Sequence, residues 1–285
     1  MLQHDPHALQ DASVEICVPT NCKVSIHAAL LLVSLINQLS LRGQYIILSF
    51  DAPDEAYGYL SRMGFFEHIA PAVDVRPERP IISGAMVHGG GNRELVEIHE
   101  VPPGKQESIR DLPLLLAGSL THSLRGQPDA DTIQKHVATV LSEVLDNVYQ
   151  HSNTVLSGLV ALQPYRKASQ PKVMLAISDS GYGITRTLRE AQPDTLEKMT
   201  EAEIIAKVFQ EGLSRFGAES GRGGGLRRCA EIALRYGADL HVRVPTAVVH
   251  LVPGRESYEE NMAYCRDNAP LLWGTHLCFE FQLTS

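Results

Sequence analysis

Apolar and polar positions fall in blocks along this chain, and the period changes from block to block. Val14-Glu15-Ile16-Cys17-Val18 alternates with period two, which predicts a strand. Ser25 precedes a long apolar stretch and predicts a cap for a helix from Ile26 to about Leu41, with Gly43 as its stop. Tyr45 to Phe50 is a run of strand length, apolar except at Ser49, so it predicts a buried strand. Asp51-Ala52-Pro53-Asp54 predicts a turn, and Glu55 to Met63 a short helix stopped by Gly64. This β-α-β-α order predicts a small α/β unit over residues 1–75, with helices covering a sheet.

Residues 76–104 carry Arg76-Pro77-Glu78-Arg79-Pro80 and His88-Gly89-Gly90-Gly91-Asn92, which predicts a linker, with a strand near Leu95 to His99 leading out of it. The second unit is expected over 105–285. Glu107 to Arg125 reads as helix, with Pro113 interrupting its pattern. Asp131 caps a predicted helix over 132–152 whose apolar stripe is Val137, Val140, Leu141, Val144, Leu145 and Val148. Strands are predicted at Leu156 to Leu162 and Lys172 to Ser178, then short helical segments to about Phe216 and a helix from about Gly224 to Tyr236. Strands at Leu240 to Val244 and Val248 to Val252, a short helix near Glu256 to Tyr264, and a last strand from Thr275 to Leu283 complete the pattern.

Composition adds limits. The chain has 285 residues, 44% of them hydrophobic, which is enough for a core. A formal net charge of -8 argues against general nucleic-acid binding, which needs a basic face. The 5 cysteines form no CxxC pair, so neither a zinc site nor a disulfide framework is expected. The most apolar stretch, Ala28 to Ile36, is far short of the ~20 residues of a membrane span. No signal-type start is read at the N-terminus, and a cytoplasmic protein is expected.

Three segments carry candidate chemistry. Glu143 and Asn147 lie one turn apart on the predicted 132–152 helix, with His151 a turn further, beside the apolar stripe. An asparagine oxygen can ligate magnesium, and a nearby carboxylate can orient an attacking water. The same pair also reads as a solvated helix face. Asp179 ends an apolar strand and precedes Gly181 and Gly183. A carboxylate fixed there can accept from an exocyclic amine such as that of adenine, and it also reads as a plain polar turn. Gly221, Gly223, Gly224 and Gly225 precede a helix, where bare amides suit an anion, although a glycine-rich connector has the same composition. The polar stretch from Thr185 to Ser220 reads as a mobile lid. A P-loop and a dinucleotide-binding glycine fingerprint are both absent from the sequence. His241, His250 and His276 lie in predicted strands without ligand spacing, and Arg227-Arg228 reads as a solvated helix face.

In their order the three segments resemble the GHKL superfamily, the Bergerat-fold ATPases of gyrase, heat-shock chaperones, sensor histidine kinases, MutL and anti-sigma-factor kinases. Glu143 to Ser152 is similar to the family's Asn box, Asp179 to Ile184 to its first glycine box, and Gly221 to Leu226 to its second. Trp273-Gly274-Thr275-His276 is similar to its closing Gly-Thr strand. Gly224 stands where the second glycine box usually has leucine, and Arg227-Arg228 follow it. The resemblance implies a Bergerat-type α/β sandwich, a mixed sheet with helices on one face and ATP and magnesium between them. It implies Glu143 as general base, Asn147 as magnesium ligand and Asp179 as adenine reader supported by Thr275. Gly181 and Gly183 would flank the base, and Gly223, Gly224, Gly225 and Leu226 would hold phosphate.

The first unit is similar to STAS-type anti-sigma-antagonist domains through Tyr59-Leu60-Ser61-Arg62-Met63-Gly64-Phe65-Phe66. Its Asp51 to Asp54 turn lacks the antagonists' phosphorylated serine, with Ser49 and Ser61 misplaced, which implies protein binding without phosphate acceptance. The functional expectation is an ATP-gated switch with slow hydrolysis, acting on a protein partner or as a homodimer. A protein Ser/Thr kinase and a non-catalytic ATP-binding module are the alternatives. His122 in Thr121-His122-Ser123-Leu124-Arg125 is similar to a sensor-kinase phosphoacceptor, but lacks the acidic residue that follows it there.

Overall fold

A computed structural model of the chain describes residues 13–52, 55–103, 110–124, 134–138, 141–142, 144–145, 154–214 and 225–283. The first strand, β1 (Val14–Val18), leads into α1 (Ile26–Leu41) and returns as β2 (Ile46–Phe50). Ser25 caps α1 as its sequence predicts, its side chain accepting from the Ala28 amide. Helices α2 (Glu55–Arg62) and α3 (Phe65–His68) then lead to β3 (Asp74–Arg76). These strands form a three-stranded sheet in the order β1-β2-β3, paired in parallel.

The stretch read as a linker contains α4 (Gly84–His88) and β4 (Val96–Val101), and β4 belongs to the second sheet. Next come α5 (Leu112–Ser123), β5 (Gly158–Tyr165) and β6 (Lys172–Ser178). Pro113 sits in the first turn of α5, where it breaks no hydrogen bond. Between α5 and β5, residues 134–138, 141, 142, 144 and 145 are helical. Helices α6 (Ile184–Ala191), α7 (Pro193–Leu196), α8 (Glu201–Gln210) and α9 (Gly225–Arg235) precede β7 (Asp239–Arg243), β8 (Val248–Pro253), β9 (Tyr258–Glu260) and β10 (His276–Gln282).

The second sheet has seven strands in the order β4-β5-β6-β10-β7-β8-β9. A mixed sheet was expected, but every pairing among the described strands is antiparallel. The last strand enters between β6 and β7 and runs against both, so no parallel neighbour arises. The short helix expected near Glu256 to Tyr264 is instead β9 and a turn. Tyr258 explains this: its ring is buried and its hydroxyl donates to the Ala238 carbonyl at 2.7 Å, which pins the segment to the sheet.

Strand alternation gives the large sheet two apolar faces. Val173, Leu175, Ile177, Leu277, Phe279 and Phe281 share one core with α5, α6, α8, α9 and the helical residues Val137, Leu141, Val144 and Leu145. The opposite residues, Met174, Ala176 and Cys278, share a second core with α1 and the small sheet. Helices were expected on one face only, yet α1 covers the other. The sequence of α1 explains why. Ile26, Leu30, Val33, Ile36 and Leu39 are all buried, and so are Ser34, Leu35 and Gln38, so the helix has almost no solvent side.

Polar contacts lock the layers. The hydroxyl of Tyr165, at the end of β5, accepts from the Ile26 amide at 2.7 Å and meets the Tyr59 hydroxyl at 3.1 Å. The outer edge of β4 is covered at Ile98, whose amide donates to the Met63 carbonyl at 3.0 Å and whose carbonyl lies 2.9 Å from His68 Nε2. Among the described residues, no helix is long and apolar enough to cross a membrane.

Because α1 is common to both sheets, the chain is expected to unfold in one transition. Leu30→Ala should lower stability by about 3 kcal/mol, the cost of truncating a fully buried leucine. Fluorescence of Trp273, the single tryptophan, and far-ultraviolet circular dichroism should report coincident denaturant midpoints in both proteins. Two separated transitions would contradict the shared core.

Candidate functional site

The ends of β6 and β10 meet at a turn built on Asp179. Side chains at 173, 175, 177 and 179 have the parity of the multi-helix face, while 174, 176, 178 and 180 have that of α1. Asp179 is 8% exposed. Its Oδ1 accepts from the Gly181 amide at 2.8 Å and its Oδ2 from the Thr275 amide at 3.0 Å. Burial, opposed by the bonds from Gly181 and Thr275, leaves its carboxyl raised to about 6. A carboxylate has about four acceptor sites, and the two amides together with the Thr275 hydroxyl leave about one. Among the described residues no cation pairs with it.

Thr275 uses every polar group it has to hold this turn. Its amide binds Oδ2, its carbonyl accepts from the Asp179 amide at 3.1 Å, and its hydroxyl accepts from the Ile184 amide at 2.9 Å. The strands therefore close on one residue from each side. Two glycines make the approach possible. At Gly274, where φ is +107°, a Cβ would lie 2.0 Å from the Asp179 carbonyl oxygen. At Gly183, where φ is +78°, a Cβ would lie 2.9 Å from the Gly274 carbonyl oxygen. Tyr182 beside it is 41% exposed, with the Arg186 guanidinium 4.1 Å from its ring centre.

Behind the turn, on the α1 side, lies a second polar layer. Gln38 Nε2 donates to Ser180 Oγ at 3.1 Å and to the Trp273 carbonyl at 2.8 Å, while its Oε1 accepts from the Trp273 amide at 3.0 Å. Ser34 Oγ lies 2.8 Å from Ser178 Oγ, which in turn bonds His276 Nδ1. His276 Nε2 is 3.1 Å from the Trp273 carbonyl. Burial lowers the His276 imidazole to about 3, so the ring is neutral at ordinary pH. A carbonyl only accepts, so Nε2 carries the proton and Nδ1 accepts. Ser178 must then donate to Nδ1, and Ser34 to Ser178. The chain of bonds has one direction, from α1 into the base of the turn.

Asp179, Gly181, Gly183 and Thr275, which the sequence singles out, are thus brought into one turn. Gly225 and Leu226 open α9 on the same side of the sheet, with Leu226 packed against that core. Glu143, Asn147, Gly223 and Gly224 lie outside the described residues. Val144 and Leu145, beside Glu143, are buried in the core on that same side. Arg227 pairs with Glu231 at 2.9 Å on an exposed helix face. His122 lies 3.9 Å from Glu94 Oε1. His241 stacks on His250 with ring centres 4.2 Å apart, and no described group of residues has the geometry to hold a metal.

The segment read as a mobile lid is different in kind as far as residue 210. Leu188, Leu196, Ile204, Ile205, Val208 and Phe209 bury it in the core. Glu201 ties it further, accepting from Thr185 Oγ1 at 2.7 Å and from the Thr246 amide at 2.7 Å. Six inward apolar side chains in short amphipathic helices make a wall, and residues 215–220 lie outside the description.

Sequence reasoning missed Ser34 and Gln38, and it quoted Gly274 only as part of the Gly-Thr resemblance without giving it a role. The available signal was two polar residues, Ser34 and Gln38, inside the most apolar helix of the chain.

Gly274→Ala should destabilise the protein by at least about 3 kcal/mol, since the new Cβ meets backbone and the φ is unfavourable. Gly43→Ala is the control. It has φ of +79° but open space around it, so it should cost only about 1 kcal/mol. Chemical denaturation of both variants checks the difference, and equal losses would deny the close approach.

No protein-family model matches the chain, and no curated protein matches its sequence.

Proposed function

We propose that the chain is an ATP- and magnesium-binding regulatory protein of the GHKL type, an ATP-gated switch with slow hydrolysis that acts on a protein partner. The observation that carries this reading is the buried Asp179 carboxylate, fixed by two backbone amides and the Thr275 hydroxyl and left with about one free acceptor site. A buried, unpaired carboxylate costs stability, and an amine donor would offset that cost. The exocyclic amine of adenine supplies one. Gly183 and Gly274 let the two strand ends close around it and hold it in one direction.

The residues divide the work between the two sides of the turn. Asp179 accepts from the base. Thr275 keeps both of its carboxylate oxygens from rotating, because rotation would break the Oδ2 bond. By the resemblance, Asn147 would ligate magnesium, Glu143 would take a proton from the attacking water, and Gly223 to Leu226 would hold phosphate oxygens. Magnesium ATP, when bound, supplies a transferable phosphoryl group. Leu188, Leu196 and Val208 hold α6 to α8 in the core, so these helices form a fixed wall.

Calorimetry with magnesium ATP tests the site. Wild type should bind, and Asp179→Asn should weaken binding by at least about ten-fold, the equivalent of ~1.4 kcal/mol. Asn147→Ala should lose binding, and Glu143→Ala should bind ATP without turning it over. Affinity should also fall as pH drops through about 6, because the proton then taken up by Asp179 occupies an acceptor site. Absence of ATP binding by wild type would reject the reading, and transfer of phosphate to a partner protein would replace the switch with a kinase.

A further inference from the structure

We infer that Gln38 of α1 is a positioning residue for the base-reading turn, so that the N-terminal unit helps set nucleotide selectivity. The inference rests on the reading of Asp179 as a base acceptor. It starts from a cost. A glutamine that is 5% exposed, inside a helix whose other buried residues are nearly all apolar, must have its amide satisfied. Gln38 satisfies it entirely on the turn: one bond to the Ser180 hydroxyl and two to the backbone of Trp273. Ser180 follows Asp179, and Trp273 precedes Gly274 and Thr275. The single side chain therefore clamps the two segments whose relative position fixes both oxygens of Asp179.

The clamp is well placed to do this. Gly274 has φ of +107° and no side chain, so nothing on it resists sliding of the Thr275 amide relative to Oδ2. Restraint has to come from either side. Thr275 gives it from the sheet, through the Asp179 amide. Gln38 gives it from α1, through Trp273. The Ser34–Ser178–His276 bonds run alongside and end on the same Trp273 carbonyl, whose two lone pairs are thereby filled. Loss of Gln38 leaves the Trp273 amide without its partner and Ser180 free to turn. The carboxylate stays buried, but its direction relaxes.

A relaxed acceptor discriminates poorly between a ring bearing an amine and one bearing a carbonyl at the same position, while groups that hold phosphate are unaffected. Gln38→Leu and Ser180→Ala should be compared with wild type for binding of magnesium ATP, magnesium ITP and inorganic tripolyphosphate by calorimetry. In Gln38→Leu, ATP affinity should fall by about ten-fold, one lost hydrogen-bond network's worth. ITP and tripolyphosphate affinities should hold within about two-fold, so the preference for ATP narrows. Ser180→Ala removes only one of the three bonds and should narrow it less. A purely structural role would instead lower affinity for all three probes together with the melting temperature. Unchanged ATP preference in both variants, with wild type binding ATP, would overturn the inference alone. Failure of wild type to prefer ATP over ITP would overturn the base site and the inference with it. If Gln38→Leu does not fold, Ser180→Ala decides.

Discussion

A helix that is apolar around its whole circumference is stable in water only between two surfaces. That constraint, imposed by the sequence from Ile26 to Leu41, organises the rest of this molecule. The small parallel sheet cannot cover both sides of α1, and the large sheet supplies the second cover through Met174, Ala176 and Cys278. Fully burying each large aliphatic side chain contributes about 1.5–3 kcal/mol. Ile26, Leu30, Val33, Ile36 and Leu39 therefore bind the two sheets far more strongly than the surface ion pairs around them.

The same helix explains why the polar residues sit where they do. Ser34, Asn37 and Gln38 interrupt its apolar surface, and each answers a specific need of the neighbouring chain. Asn37 donates to the His68 carbonyl at 2.8 Å and accepts from the Ala70 amide at 2.8 Å, closing the loop after α3. Ser34 and Gln38 serve the other sheet. These three polar groups of α1 are thus partitioned between its two covers, as its apolar groups are. The Asp179 turn stands at the place where the large sheet, its closing strand and this helix come together.

Much of this was legible in the residues. Ser25 as a cap, the strand from Lys172 to Ser178 and the helix ending near Tyr236 follow directly from pattern. Asp179, Gly181 and Gly183 were readable as a group because a carboxylate and two glycines follow an apolar strand, and Thr275 was joined to them only by the resemblance. Other features had no local signal. A strand of three residues such as β9 has too short a period to read, and Tyr258 marks it only once its partner Ala238 is known. The burial of both sides of α1 was present in its composition, but the period of a helix does not say how many surfaces surround it. Gln38 was invisible for a further reason: its partners lie 142 and 235 residues away. Glu143, Asn147, Gly223 and Gly224 fall outside the described residues.

Those separations have a consequence for how the molecule forms. The bond from Gln38 to Trp273 spans 235 residues, so it closes a loop containing most of the chain. During synthesis α1 emerges before β6 and β10, the strands that cover its second side. Chains whose contacts are this distant in sequence fold slowly, because loop closure must precede the reward of burial. Until β6 and β10 arrive, the exposed stripe of α1 is a sticky surface of the kind that chaperones bind and that drives aggregation. In the folded chain the same strands that complete the Asp179 turn also cover that stripe, so the candidate site and the burial of its most adhesive helix depend on the same contacts.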